Sequence, residues 1–95
     1  MERLTVLFYD YVPDIVERRG PHREQHLALL NEHGSVLAGA LGDPPHGAAI
    51  VFESAEQAEA FRAADPYGAA GLVQGSRIEP WTIAVRKEAG GTPAV

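Results

Sequence analysis

Arg19, His22, Arg23 and His26 follow one another at spacings of three and four residues, so a helix running through Pro21 would carry all four on one face. Histidine is the side chain best suited to exchange protons near neutral pH, which makes His26, at the inner edge of such a helix, a candidate acid or base. Arg19 or His22 can then hold an anionic group of a substrate. The same spacing also suits a solvated polar face opposite Leu27 and Leu30. His22 and His26 alone have the spacing of a metal-binding pair. Glu24-Gln25 between them does not reproduce the zinc-protease pattern, however, and no metal site is expected.

Asp65 is the natural companion of His26, and two readings of it stand side by side. An aspartate directly before Pro66 suits the cap of a short helical turn. A carboxylate placed against an imidazole would instead orient or charge it for proton transfer. Tyr9, Tyr67 and Trp81 can line an apolar pocket or fill the core; Tyr9 and Tyr67 join Arg19 and His22 as candidate substrate contacts. His33, at a helix end, and His46, in a loop, are incidental. There is no Gly-rich phosphate loop, Ser-His-Asp signature or dinucleotide fingerprint, and no cofactor is expected.

The elements that must position these residues can be read from patterning. Residues 4–9 are aromatic, β-branched or aliphatic and form a first strand, apolar at Leu4, Val6 and Phe8 on one side and at Leu7 and Tyr9 on the other. Pro13 opens a short helix to Arg19, and Pro21 opens a second helical segment from His22 to His33 that stops at Gly34. Residues 36–41 and 48–52 make an antiparallel pair of strands across a Pro- and Gly-rich loop. Ser54-Ala55-Glu56-Gln57 is a capping box, with Ser54 and Gln57 each satisfying the other's N–H, and its helix ends at Asp65-Pro66. Residues 66–71 can add one turn. A fourth strand follows from Leu72 through Val85, with Pro80 suited to an edge or a bulge.

The order β-α-β-β-α-β defines an α+β, ferredoxin-like fold in which two helices pack on one face of a four-stranded antiparallel sheet. Strands apolar on both sides leave the other face uncovered, a larger hydrocarbon patch than soluble monomers usually show. A homodimer formed through that open sheet face is therefore expected.

Composition agrees with one folded domain at residues 1–86 and a loose tail at 87–95: the 95 residues are 45% apolar and 22% charged. The chain contains no cysteine, which fits a reducing compartment, and the cytoplasm is the expected location. No export signal or membrane span is found, and no membrane partner is expected. A formal charge of −5 with dispersed basic residues argues against a nucleic-acid partner.

Taken together, Arg19 with Pro21-His22-Arg23-Glu24-Gln25-His26-Leu27, then Leu37-Ala38-Gly39-Ala40-Leu41, Ala49-Ile50-Val51-Phe52 and Ala64-Asp65-Pro66-Tyr67, resembles the YciI-like (YCII-related) proteins over residues 4–85. The order and spacing of these short motifs carry the resemblance. It implies the dimeric α+β barrel architecture of a superfamily that includes muconolactone isomerase, and a His-Asp active site. On this chain the pair falls at His26, in the His-Leu motif, and at Asp65, in the Asp-Pro-aromatic motif. The segment from His26 to Gly34 is about one turn, roughly three residues, shorter than the family pattern. The best-understood activity in the family is dehydrochlorination of a chlorinated hydroxyhydroquinone. The expectation is a small-molecule lyase, isomerase or dehydrochlorinase-like enzyme acting on a cyclic or aromatic metabolite, the alternative being a non-catalytic metabolite-binding or accessory module of the same fold.

Overall fold

The computed structural model describes residues 1–87, so the expected tail at 87–95 lies, apart from Lys87, outside the described residues. The chain runs β1 (Arg3–Tyr11), α1 (Ile15–Arg18), α2 (Gly20–Glu32), β2 (Leu37–Leu41), β3 (Gly47–Phe52), α3 (Ala55–Ala64), α4 (Pro66–Ala69) and β4 (Val73–Thr82). The four strands form one antiparallel sheet in the order β2-β3-β1-β4. This is the ferredoxin-like α+β arrangement, with β1 and β3 central and β2 and β4 at the edges.

Side-chain alternation sorts the strands into two faces. On one side Leu7, Tyr9 and Tyr11 of β1 and Ala48, Ile50 and Phe52 of β3 join Ile15, Leu30, Ala58, Phe61, Tyr67 and Leu72 in the main core. On the other, Leu4 and Val6 pack with Val51 in a smaller cluster that no helix covers. Burying a side chain such as Phe61 or Ile50 in the main core is worth about 1.5–3 kcal/mol, so the helix-covered face carries most of the hydrophobic stabilisation.

Pro80 occupies the outer strand β4, where its missing N–H costs no sheet bond in the interior of the ladder. The strand ends at Thr82 rather than running to residue 85, although the Ile83 N–H still donates to the Glu2 carbonyl at 2.8 Å. β3 approaches β1 so closely that a Cβ on Gly47 would meet the Tyr9 carbonyl oxygen, which requires glycine there.

Helical boundaries follow the proline and glycine positions. Arg19 links α1 to α2 in an αR conformation, and Pro21 sits in the first turn of α2, so the helical phase survives the break. Gly34, at φ +74°, ends α2, with the Ser35 N–H donating to the Leu30 carbonyl at 3.0 Å. Ser54 caps α3 by accepting from the Gln57 N–H at 3.2 Å. The reciprocal half of the expected capping box differs: Gln57 Oε1 accepts from the Ser54 hydroxyl at 3.1 Å, and Gln57 Nε2 donates to the His33 carbonyl, which ties the end of α2 to the start of α3. The polar face expected opposite Leu27 and Leu30 is also different. His26 and Leu30 share the buried face of α2, and Leu27 is largely exposed.

Candidate active site

Three elements bring one polar cluster into the main core. α2 supplies His26, the junction between α3 and α4 supplies Asp65, and β1 supplies Tyr9; their relative exposures are 7%, 3% and 2%. Asp65 sits at this junction because Pro66 forces the preceding residue into an extended conformation, which ends α3 and leaves Asp65 as the cap of α4.

Asp65 is an acceptor on both oxygens. Its Oδ1 lies 2.8 Å from His26 Nδ1 and accepts the Tyr67 backbone N–H at 3.1 Å. Its Oδ2 accepts the Tyr9 hydroxyl at 2.8 Å. The two readings of Asp65 therefore coexist, since the same oxygen caps α4 and meets the imidazole. Among the described residues no buried side-chain nitrogen or oxygen lacks a partner.

This network assigns the histidine tautomer. With Asp65 accepting at both oxygens, Nδ1 carries the proton and donates it. Nε2 has no hydrogen-bond partner among the described residues and is not a buried orphan, so it is the ring atom left to the pocket. The ring itself is held firmly. It stacks on Tyr67 with a centroid separation of 3.9 Å and an interplanar angle of 1°, and meets the edge of Phe61 at 5.7 Å.

Burial, followed by the charge and hydrogen bond of Asp65, drives the Tyr9 hydroxyl far above the ordinary tyrosine value. Tyr9 thus stays a proton donor to Asp65 over the whole physiological range. Burial also raises Tyr11, with Tyr67 and Asp65 adding to the effect. Tyr67 is raised by burial, while the guanidinium groups of Arg23 and Arg19 oppose the rise.

A cavity of about 190 Å3 opens beside His26 between α2 and the β2-β3 edge of the sheet. Arg19 at the start of α2 lines it together with Arg23 and His26 of α2, and Ala38, Ala40 and Ile50 line it from the strands. Tyr11 and Tyr67 complete the wall. The small side chains of β2 leave this room, because Ala38 and Ala40 point to the helix side in register with Ile50 and Ala48.

The expected site residues separate into three groups. His26, Arg19 and Tyr67 are brought to one cavity, with Asp65 directly behind the imidazole. Tyr9 does not line the cavity; it lies behind Asp65 with its hydroxyl committed to Oδ2. His22 does not line it either, and Trp81 stands on the opposite face of the sheet, 48% exposed. Arg23 was not singled out as a substrate contact, yet it lines the cavity beside Arg19. Its spacing contained the signal: residues 19, 23 and 26 recur at i, i+4 and i+7, whereas 22 falls to the side. Among the described residues no group of three or more His, Asp or Glu side chains is arranged to hold a metal ion.

Comparison with models of known protein families gives no match, and none is found among curated protein sequences. Solved structures do match, and they agree with the ferredoxin-like α+β fold of this chain. The chain is similar to 5-chloro-2-hydroxyhydroquinone dehydrochlorinase from Burkholderia phenoliruptrix, determined in complex with 2,5-dihydroxybenzoquinone. The TM-score is 0.67 at 22% identity, covering 83% of this chain and 93% of that one. It is similar also to a protein of unknown function from Nitrosomonas europaea, with TM-score 0.57, 19% identity and coverage of 94% and 95%. A cofactor-independent oxygenase from Streptomyces nogalater gives TM-score 0.55, 14% identity and coverage of 90% and 97%. At these identities the likeness is one of fold.

Proposed function

We propose that this chain is a small-molecule enzyme in which His26 Nε2 takes a proton from a cyclic or aromatic metabolite. The observation that carries this reading is the bond that commits Nδ1 to Asp65, which leaves Nε2 as the unpartnered nitrogen of an imidazole that lines the cavity. Asp65 holds the imidazole in the tautomer that makes Nε2 an acceptor and stabilises the imidazolium formed when the proton arrives. Arg19 and Tyr67 contact the substrate, and the proton is returned at another atom for isomerisation or released to solvent after a leaving group departs. The resemblance to YciI-like proteins, and the dehydrochlorinase among the structural neighbours, support a lyase or isomerase rather than a group-transfer enzyme.

The working unit in this reading is a homodimer paired through the open sheet face. Leu37, Leu41 and Trp81 are exposed there around a cavity of about 580 Å3, which a second copy would fill.

The test is proton-transfer activity on a panel of monocyclic hydroxyquinones, lactones and 5-chloro-2-hydroxyhydroquinone, followed by solvent-deuterium incorporation and chloride release. His26→Asn should lower the rate by about 100-fold or more with the fold retained. A variant as active as the parent, or a parent that accelerates no member of the panel, would contradict the reading.

A further inference from the structure

The cavity beside His26 carries a charge arrangement of which the proton-transfer reading uses only Arg19. Arg19, the residue that precedes α2, and Arg23, one helical turn on, both line it, and none of the ion pairs among the described residues involves either of them. No aspartate or glutamate lines the cavity. The Asp65 side chain is fully buried behind the imidazole, where Tyr9, Tyr67 and His26 already occupy its oxygens. In a chain of formal charge −5, this is a local reversal of sign rather than a continuation of a basic surface.

The rest of the wall sets size and shape. Leu30, Ala40, Ala48 and Ile50 are apolar, and Tyr11 and Tyr67 add aromatic surface to the wall. The volume of about 190 Å3 is below the roughly 300–1,000 Å3 of pockets that take drug-sized ligands, so it suits one ring with small substituents. Guanidinium groups bind carboxylate and phenolate oxygens through several N–H donors at once, and a half-enclosed apolar surround strengthens that attraction.

We propose that Arg19 and Arg23 form an anion clamp that selects a single-ring oxyanion, a ring carboxylate or phenolate, and seats it with its ring against the apolar strand wall beside His26. This rests on the reading that the same cavity is the active site, and names its substrate class. Arg23 is thereby a specificity residue, and the position of the clamp fixes which end of the ring lies toward Nε2.

The experiment compares benzoate with benzamide, the same ring without the charge, by 1H–15N NMR titration of the full chain. The clamp predicts saturable shifts at Tyr67 and along α2, with benzoate bound at least about tenfold more tightly than benzamide. Arg23→Gln should reduce that preference and Arg19→Gln/Arg23→Gln should abolish it. Both side chains reach solvent, and the spectrum of each variant verifies its fold. Equal binding of the two probes, no saturable shift with benzoate, or a preference that survives in the double variant would overturn the clamp. His26→Asn separates this proposal from the one it rests on. A variant that keeps the benzoate preference but loses turnover upholds both; one that keeps both upholds the clamp and removes the catalytic role of His26.

Discussion

The two faces of the sheet are built from the same strands, one residue out of phase, yet they are made for different contacts. On the helix side Tyr9, His26 and Asp65 lie inside an apolar core with every buried polar side-chain atom partnered, and a small cavity with two arginines opens against them. On the open side Val6, Phe8, Val51 and Leu37 surround a cavity about three times larger, and the charged groups at its border, Arg77 and Glu79, satisfy each other at 2.9 Å. Arg77 also lies 4.3 Å over the Phe8 ring, which withdraws its charge further from recognition of anything else. A buried polar group is costly without partners, so a cluster of three in a core this small depends on the bonds its members make to one another. An apolar face without such groups offers area rather than direction, which is what a protein partner needs.

The most severe way to break the comparison is Asp65→Ala. It strands the Tyr9 hydroxyl, His26 Nδ1 and the α4 cap together, and should cost about 3–5 kcal/mol in denaturant unfolding. An effect below 1 kcal/mol would mean that the cluster is not the anchor of the helix side. The matching challenge to the open face is Leu37→Glu with Trp81→Glu, both at exposed positions. Sedimentation should show the proposed dimer weakened about 100-fold, a loss of the size expected of interface anchors, with the monomer fold intact. A parent chain that stays monomeric at high concentration would remove the contrast altogether.

Tyr9→Phe is a gentler probe that removes one hydrogen bond to Asp65 and leaves the ring in place. A loss of about 1–2 kcal/mol is expected. It should also change the alkaline limb of stability. Because the folded protein holds the Tyr9 and Tyr11 protons well above the ordinary value of 10.0, the unfolded chain binds fewer protons than the folded one once the pH passes that value. Stability is therefore complete below pH 10 and falls above it, by about 1.4 kcal/mol per pH unit for each such tyrosine. The phenylalanine variant should show a shallower fall, measurable by urea unfolding between pH 9 and 11. An unchanged slope would place the Tyr9 hydroxyl in water.

Much of the fold was legible because its punctuation is local. Pro21, Gly34, Ser54 and Asp65-Pro66 mark their helix ends by their own backbone chemistry, and the two-faced alternation of β1 and β3 requires both a helix layer and an open side. The His26–Asp65 pairing was legible as one of two readings of Asp65, and the resemblance favoured it, since 39 residues separate the two and no spacing rule joins them. Tyr9 was assigned to the substrate for the same reason in reverse: its true partner, Asp65, stands 56 residues away and took the hydroxyl that a pocket would have used. Arg23 was passed over because choosing among Arg19, His22 and Arg23 depends on the helical phase across the break at Arg19, which the αR conformation of that one residue decides. Gln57 stays with Ser54 through its oxygen and adds a tertiary bond from Nε2 to the His33 carbonyl, which no local pattern announces.

The central claim is that Asp65 holds the proton of His26 on Nδ1 and turns a bare Nε2 to the cavity. Long-range 1H–15N correlation of the histidine rings, recorded at a pH where His26 is neutral, reads this directly. The account predicts a His26 ring with Nδ1 protonated and Nε2 as the unprotonated nitrogen, and loss of that tautomer preference in Asp65→Asn. A His26 found with its proton on Nε2 would contradict it.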